Sequence, residues 1–463
     1  MGKAVLAEES LLNYLTNLSK GTTGFIPGLI VGQTVGDNDC VLHLMRTPLH
    51  ETQDNDSAPV KIGSLAKISK LQESWMADHA KCVTRMLPGG MWVLGLFVIG
   101  PDDIFLDAVA QNKLRSTLVQ VQKMLSTDKF LYGTSPSSEK IVLQFARNSL
   151  RYSCKSFDLS NTSSNPKPVE WRFISHPTRW HQLRCHFNLD SVDSIHFTPD
   201  SSKQTLQNQF DKVIQAVSDC LDNSIYLISG QMKSDSILLK DFNGSNIDSS
   251  KFSESKPGPL LRNGGLILSS PLVDIYQDFG KTTRSKSYNS CKSQELKLTG
   301  VLESHIYLHE NATIGEGIKI LKEDILRSLF SRFEMHYETL IEEEAAVSSD
   351  GTIFHEPPRR VMISLYNSDI KFYDYLFPGE GVSEILQSLQ EFLDLKVDTS
   401  HINKNFEGKA GSLFDSDERL SDLVAHGSKS TQKFNVSSLQ IAGLMIVFSG
   451  LLIAIIAQLY FKH

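Results

Sequence analysis

Hydrophobic and polar positions alternate along the chain with two distinct periods. Phe25–Gln33 (FIPGLIVGQ) is a short apolar run bounded by glycines, the pattern of a buried strand. Gly36–Asp39 supplies a turn and Cys40–Met45 a second run, which together predict a hairpin. From Leu65 to Leu87, Leu71, Trp75, His79, Cys82, Val83 and Met86 recur at spacings of three and four and predict one face of a helix. Pro88-Gly89-Gly90 ends it. Met91–Ile99 (MWVLGLFVI) is nearly continuous in apolar residues and predicts a central strand. Asp102 or Asp103 can cap a following helix that runs to about Leu125. Further strands are expected over Ile141–Phe157 and Trp171–Phe187, on either side of the turn segment Asn161–Pro168. A helix over Leu206–Leu221 and a short strand over Ile225–Ser229 follow.

The second half is less regular. Lys233 to about Lys297 is rich in Ser, Lys, Asn and Gly and predicts a long, partly disordered insertion, with one short docked element near Leu266–Ile275. Order returns with a strand over Leu298–Leu308. A helix from Gly315 to about Glu344 then carries Ile318, Leu321, Ile325, Leu329 and Phe333 on one face. Arg360–Leu365 and Phe372–Phe377 predict strands, and Val382–Leu395 a helix. The expected organisation is an α/β domain over 1–130, its continuation over 131–232, the insertion over 233–297, an α+β region over 298–397 and a polar linker over 398–438.

The C-terminal stretch breaks every amphipathic pattern. Leu439–Tyr460 spans 22 residues. As a helix it would be about 33 Å long, against a hydrocarbon core of about 30 Å. Leu439, Ile441, Leu444, Ile446, Val447, Phe448, Leu451, Leu452, Ile453, Ile455 and Ile456 place large apolar groups on all sides, and Tyr460 sits at the far boundary. Gly443 and Gly450, seven apart, share nearly the same face, but no G-x-x-x-G is present. Only Phe461, Lys462 and His463 follow, so the segment reads as a tail anchor with the body in the cytosol. The long span and single Lys beyond it favour the endoplasmic reticulum over the mitochondrial outer membrane. Glu8 and Glu9 interrupt any signal-peptide run, and Leu6 breaks a myristoylation motif begun by Gly2.

Composition narrows the function further. The 463 residues are 40% hydrophobic and 21% charged, within the globular range, so a sizeable core is available. A net charge of -7 argues against nucleic-acid binding. Cys40, Cys82, Cys154, Cys185, Cys220 and Cys291 form no C-x-x-C pair and read as reduced thiols. The chain has no P-loop, no G-x-G-x-x-G, no G-x-S-x-G and no H-E-x-x-H. His176, His181 and His186 lie five apart, which on a strand puts the last two on opposite faces and so opposes a shared metal. His79, on the apolar face of its helix, reads as a core histidine with a hydrogen-bond partner. These residues supply no catalytic, cofactor or metal site, and no small-molecule substrate is expected.

Several motifs, in order, resemble one family. They are Phe25–Gln33, Arg46-Thr47-Pro48, Trp75 with His79-Ala80, Met86–Gly90 (MLPGG), Val93–Gly100 (VLGLFVIG) and Tyr226–Gln231 (YLISGQ), closed by a single membrane helix. The chain resembles the odorant-response-abnormal membrane protein family, type four, over nearly its whole length. The resemblance implies an endoplasmic-reticulum membrane protein that assists folding and export of some G-protein-coupled receptors. It also implies a link to the protease of the ubiquitin-fold modifier, which such proteins stabilise and hold at the membrane. It further implies an N-terminal module like the MPN fold of JAMM-type metalloproteases. An active module would carry a Glu on the early strand and an H-x-H-x7-S-x2-D array near the end of the strand Met91–Ile99. Here the early strand carries Ile26 and Pro27, and Gly95–Gly100 has no His. The resemblance therefore implies a catalytically inactive MPN-like module plus a second α+β region and a transmembrane helix. The expected function is that of a non-enzymatic adaptor whose partners are other proteins and, through the tail, the lipid bilayer. Arg46, Pro48, Pro88, Gly89 and Gly90 are the candidate partner surface. The competing reading, a membrane-tethered hydrolase with a dispersed site, rests on the α/β character alone.

Overall fold

Strand Trp92–Gly100 is buried at all nine positions, and the fold is organised around that fact. A strand with no wet face needs neighbours on both edges and layers on both sides. In the computed structural model those neighbours complete a closed barrel. In chain order its strands are β1 (Ala4–Glu8), β2 (Ile26–Val35), β3 (Asn38–Arg46), β4 (Trp92–Gly100), β5 (Glu139–Ala146), β6 (Arg151–Asp158) and β7 (Lys167–Ile174). Their order around the ring is β1-β3-β2-β4-β5-β6-β7, and β1 closes it by running parallel to both β3 and β7. The structure describes residues 3–48, 64–101, 103–133, 138–161, 163–189, 195–197, 203–241, 265–276, 294–296, 300–344, 357–365 and 368–407.

The hairpin expected from the first two apolar runs is β2–β3, paired from Gly28 opposite Arg46 to Val35 opposite Asn38. Helix α1 (Glu9–Ser19) inserts Leu11 and Leu15 into the barrel core beside Val5, Ile30, Leu44 and Phe97. Helices α2 (Glu73–Met86) and α3 (Ala108–Thr127) cover the outer face, packing on Leu96 and Val98. The alternation along β4 thus feeds two cores. The α2 helix starts later than its periodicity suggests, because Leu65 is committed elsewhere. Its backbone exchanges hydrogen bonds with Phe25 at 2.7 and 2.8 Å. The cap of α3 is Asp107, whose Oδ1 accepts from the Val109 N–H at 2.9 Å; Asp103 caps only the short turn Ile104–Leu106.

The domain boundary expected at residue 130 falls inside the barrel. Strand β5 pairs with β4 in parallel, so the chain must cross over through α3 before the ring can be completed. The two strand regions predicted beyond it each divide at a turn, into β5–β6 and into β7 with β8 (Arg179–Asn188).

Strand β8 centres a second sheet. On one edge it pairs with β14 (Val301–His309). On the other it pairs with β11 (Leu266–Ser269) and β12 (Leu272–Tyr276), and β12 also pairs with β10 (Ile225–Ile228). Part of the predicted insertion is therefore sheet; residues 242–264 and 277–293 lie outside the described residues. A separate pair joins β9 (Ile195–Phe197) and β13 (Gln294–Leu296). Helix α5 (Lys203–Asp222) and the long α6 (Ile314–Glu344) pack on this sheet, with Phe210 stacked on Phe333 at 4.7 Å. The short helix α4 (Lys129–Tyr132) precedes β5. A third sheet, β16-β15-β17, is made of β15 (Arg359–Ser364), β16 (Lys371–Leu376) and β17 (Ile402–Asn403), with α7 (Val382–Phe392) beside it. Residues 398–407, placed by the sequence in the linker, are thus docked to the body through β17. Their apolar and charged side chains find partners that only the fold brings near.

The chain divides into Met1–Ala410 and Gly411–His463. The second unit, with the predicted membrane helix 439–460 and most of the linker, lies outside the described residues. Among the described residues no helix is long and apolar enough to cross a membrane.

The barrel makes one sharp demand on sequence. Gly95 pairs with Ile141, and a methyl group on it would lie 1.8 Å from the Ile141 carbonyl oxygen. Backbone cannot move aside as a side chain tip can. Gly95→Ala should destabilise the body by more than about 4 kcal/mol in urea unfolding. Gly36→Ala, at an open turn, should cost only about 1 kcal/mol.

Candidate functional site

The five candidate surface residues do not form one surface. Pro88, Gly89 and Gly90 are buried. The Gly89 carbonyl accepts from the Tyr307 N–H at 2.9 Å, so this turn is stitched to β14. Gly90 has φ +87° and no side chain because the Tyr307 carbonyl would lie 2.1 Å from a Cβ there. Gln33 completes the seam. Its amide donates to the carbonyls of Gly90 (2.7 Å) and Tyr307 (3.0 Å), and its oxygen accepts from the His309 N–H at 2.9 Å. Arg46 and Pro48 lie elsewhere and are half-buried. Arg46 pairs with Asp394 at 3.3 Å, and the Pro48 carbonyl accepts from the Trp75 indole N–H at 2.7 Å. A turn rich in Pro and Gly is usually exposed; here it is small so that β14 can approach.

A cluster of buried charged side chains lies where α6, β14, β15 and the docked segment meet. Arg360, with no exposed surface, donates to Asp324 Oδ2 at 2.8 Å and Oδ1 at 3.1 Å. Ser304 donates to the same carboxylate at 2.6 Å. Burial opposes the charge on Asp324, but Arg360 more than offsets it and holds the carboxyl below its usual range. Beside this pair, Arg332 donates to both oxygens of Glu407 at 2.6 and 2.7 Å. Glu407 also accepts from the backbone N–H groups of Arg360 (2.8 Å) and Glu303 (3.1 Å). Phe406 packs edge-on against His305 at 4.9 Å. Burial pushes His305 down to about 3, so it is neutral at physiological pH.

Other candidate groups are also structural. His79 bonds Thr47 Oγ1 at 3.0 Å and the Phe392 carbonyl at 2.7 Å, and burial pushes it down to about 4. His181 is buried against Ser269, while His186 is half-exposed and pairs with Glu303 at 2.6 Å. Ile26 pairs with Ile99 and Pro27 with Val98, so this end of the β2–β4 ladder carries no group able to ligate a metal. Cys40, Cys154 and Cys185 are buried free thiols, and burial pushes Cys40 and Cys154 up to about 12. An unreactive, protonated thiol is the expected state there.

Sequence reading overlooked Asp324, Arg327, Arg332, Arg360 and Glu407. On α6 the charged residues occupy what looks like a solvated face. One signal existed: the same stripe carries Ser328 and Ser331, both buried, and such small residues leave room for packing. Arg327, also buried, donates to the Leu131 carbonyl at 3.0 Å, so α6 is gripped on both sides.

The geometry defines a mixed α/β protein whose conspicuous buried polar groups are engaged with one another as joints between elements. The chain belongs to the Odorant response abnormal 4-like (ODR4-like) family, whose model matches residues 28–404. It is 26% identical to the Xenopus tropicalis Protein odr-4 homolog, over 100% of both chains. It is 28% identical to the Homo sapiens Protein odr-4 homolog, covering 85% of this chain and 84% of that one. It is 22% identical to Odorant response abnormal protein 4 of Caenorhabditis elegans, over 82% of this chain and 74% of that one. Among solved structures, the crystal structure of UfSP from C. elegans aligns with 86% of this chain and 57% of its own. Its TM-score is 0.41 at 10% identity, too distant a likeness to carry an argument.

The joint around Glu407 is directly testable. Glu407→Ala leaves Arg332 buried without its counter-charge and should cost about 3–5 kcal/mol in urea unfolding. Arg332→Met with Glu407→Met should regain only part of that loss: the unpaired charge is then gone, but the Arg360 and Glu303 N–H groups remain without their acceptor.

A second test concerns Asp374, half-buried on β16. Its Oδ2 is shut off from water without a hydrogen-bond partner. Burial pushes this carboxyl up to about 7, against weaker help from the Tyr375 N–H and the Ser388 hydroxyl; Glu380 adds a small upward push. A raised carboxyl pKa means that the folded chain holds its proton more tightly than the unfolded one. Stability from this group is present below about pH 4 and is lost as pH rises towards 7. Asp374→Asn should therefore gain stability relative to the parent between pH 4 and pH 8, as read by urea midpoints across that range.

Proposed function

We propose that this protein is a non-enzymatic membrane adaptor that assists folding, trafficking or localisation of partner proteins, a subset of G-protein-coupled receptors first among them. Membership of the ODR4-like family across residues 28–404 carries the reading. The name of the C. elegans relative, Odorant response abnormal protein 4, points to receptors as clients. The tail 439–460 anchors the chain in the endoplasmic-reticulum membrane with its body in the cytosol. The apolar length of that segment supports this. Anchoring raises the concentration of the body beside its clients by confining both to one surface.

The barrel with its outer helices serves in this reading as an inactive MPN-like module. The apolar pairs Ile26–Ile99 and Pro27–Val98 support inactivity, since zinc needs nitrogen, oxygen or sulfur ligands. An inactive module is equally compatible with a second reading, in which it is the stabilising partner of the ubiquitin-fold-modifier protease and holds it at the membrane.

Pull-downs with the full chain and with a chain ending at Ser438, each against a tagged receptor and the tagged modifier protease, separate the two. Recovery of receptor by the full chain alone is expected. Stoichiometric recovery of the protease by both forms, with receptor absent, would replace the first reading with the second. Recovery of neither would overturn both.

A further inference from the structure

Half of the large apolar side chains that the described residues expose lie at one end of the barrel. They are Leu106 (86% exposed), Val109 (65%), Leu150 (58%) and Tyr152 (41%), four of eight. Two sets of contacts hold their loops side by side. The Arg147 and Asn148 N–H groups donate to the Gly100 and Pro101 carbonyls at 2.8 and 3.4 Å, so the turn between β5 and β6 runs along the exit from β4. Lys155 of β6 lies over the Phe105 ring at 4.7 Å, which brings the turn Ile104–Leu106 against the same strand. Single exposed apolar residues need no explanation, but a group of them at one end marks an interaction site.

The β5–β6 turn carries a second, independent mark. Leu150 has φ +54°, a left-handed conformation that Gly or Asn ordinarily supplies. Its side chain is mostly in water, so packing does not offset that strain. The tip runs Arg147-Asn148-Ser149-Leu150-Arg151-Tyr152, with two cations and no acid. Residues 148–152 are all exposed, and among the described residues no carboxylate is within ion-pair range of either arginine. Asp103 and Asp107, on the neighbouring turn, each cap a backbone N–H at 2.9 Å. The Tyr152 ring leans edge-on against Phe173 at 5.1 Å. An exposed Leu, an amphipathic Tyr and an unpaired Arg on one turn suit a membrane–water interface. The first favours acyl chains, the second the boundary, and the third the phosphates of anionic lipid.

We propose that this end of the barrel rests on an anionic bilayer surface, with Leu150 and Tyr152 at the boundary between headgroups and acyl chains and Arg151 against lipid phosphate. Leu106 and Val109 extend the apolar contact. Arg147, whose guanidinium also holds the Gly24 carbonyl at 2.5 Å, adds positive potential. The proposal rests on the membrane-adaptor reading for bringing a bilayer near. Thirty-one residues separate Glu407 from Leu439, at most about 100 Å of extended chain, so a bilayer holding the tail is within reach of the tip. Contact at the tip then selects which face of the barrel lies on the membrane.

The test places the full chain in vesicles of phosphatidylcholine and phosphatidylserine that carry a phospholipid with a photoreactive diazirine high in its acyl chain. Mass spectrometry then maps the labelled peptides. Label is expected on the peptide holding Leu150 and Tyr152 as well as on 439–460. Leu150→Gly relieves the left-handed strain and so folds at least as well as the parent, yet it should lower label at the tip about fivefold. Arg151→Glu should lower it as much, and so should vesicles without phosphatidylserine, while label on 439–460 stays constant. Label on 439–460 with none at the tip overturns this proposal and leaves the anchor standing. Tip label that neither variant lowers is unspecific and also overturns it, as does an unlabelled tip that cross-links to the tagged receptor instead. Tip label without label on 439–460 supports the proposal and removes the anchor. Label at neither place overturns both.

Discussion

Arg360 has no surface exposed to water, and the arrangement of the second half of the chain follows from how its charge is satisfied. Isolated in a core, a guanidinium would cost several kcal/mol of lost hydration. Two hydrogen bonds to Asp324 answer that cost, and a third, from Ser304 to the same carboxylate, fixes its orientation. Each partner belongs to a different element: Asp324 to α6, Ser304 to β14, Arg360 to β15. The pair therefore sets three elements in register at once. Glu407 extends the arrangement, because its carboxylate takes the Arg360 backbone N–H as well as the Arg332 guanidinium. Hydrophobic burial supplies most of the stabilisation, but it is non-directional. The ionic joint supplies geometry, since a displaced partner would leave a buried charge unpaired.

The seam between the barrel and the second sheet is built differently, around the neutral side chains of Gln33 and Tyr307. Gln33, at the end of the apolar run on β2, reaches across to Gly90 and to β14, and Tyr307 sits where they converge. The Tyr307 hydroxyl continues the seam, accepting from Gln182 at 3.0 Å and from the Lys371 N–H at 3.1 Å. Glu8 adds a second link, accepting from the N–H groups of Thr178 (3.1 Å) and Gly265 (3.0 Å). Residues that carry the family resemblance, Gln33 and Pro88–Gly90, are thus joint residues. Their chemistry explains their type without any partner.

This bears on function. In the unit Met1–Ala410 the buried ion pairs and the Gln33 seam hold distant elements together. The proposed confinement of a folded unit to a membrane surface needs no catalysis at its binding face, only proximity and shape. The proposed adaptor role and the mixed α/β scaffold are compatible on these physical grounds.

The sequence alone determined the local elements. Period-two and near-continuous apolar runs marked β2, β3 and β4, and the three-four spacing marked α2, α3 and α6, because these patterns are fixed by backbone geometry over a few residues. His79 as a hydrogen-bonded core residue was legible for the same reason. Tertiary structure decided the rest. Ring closure by β1 against β7 depends on residues more than 160 apart, as the pairing of Ala4 with Glu170 shows. The Pro88–Gly90 turn looked exposed because Pro and Gly usually mark surface turns; β14, far along the chain, covers it. The linker reading of 398–407 failed in the same way. A Glu in a polar stretch looks solvated until Arg332 and two backbone N–H groups, all distant in sequence, surround it. Charge satisfaction and coverage depend on what comes near, and no local period encodes that.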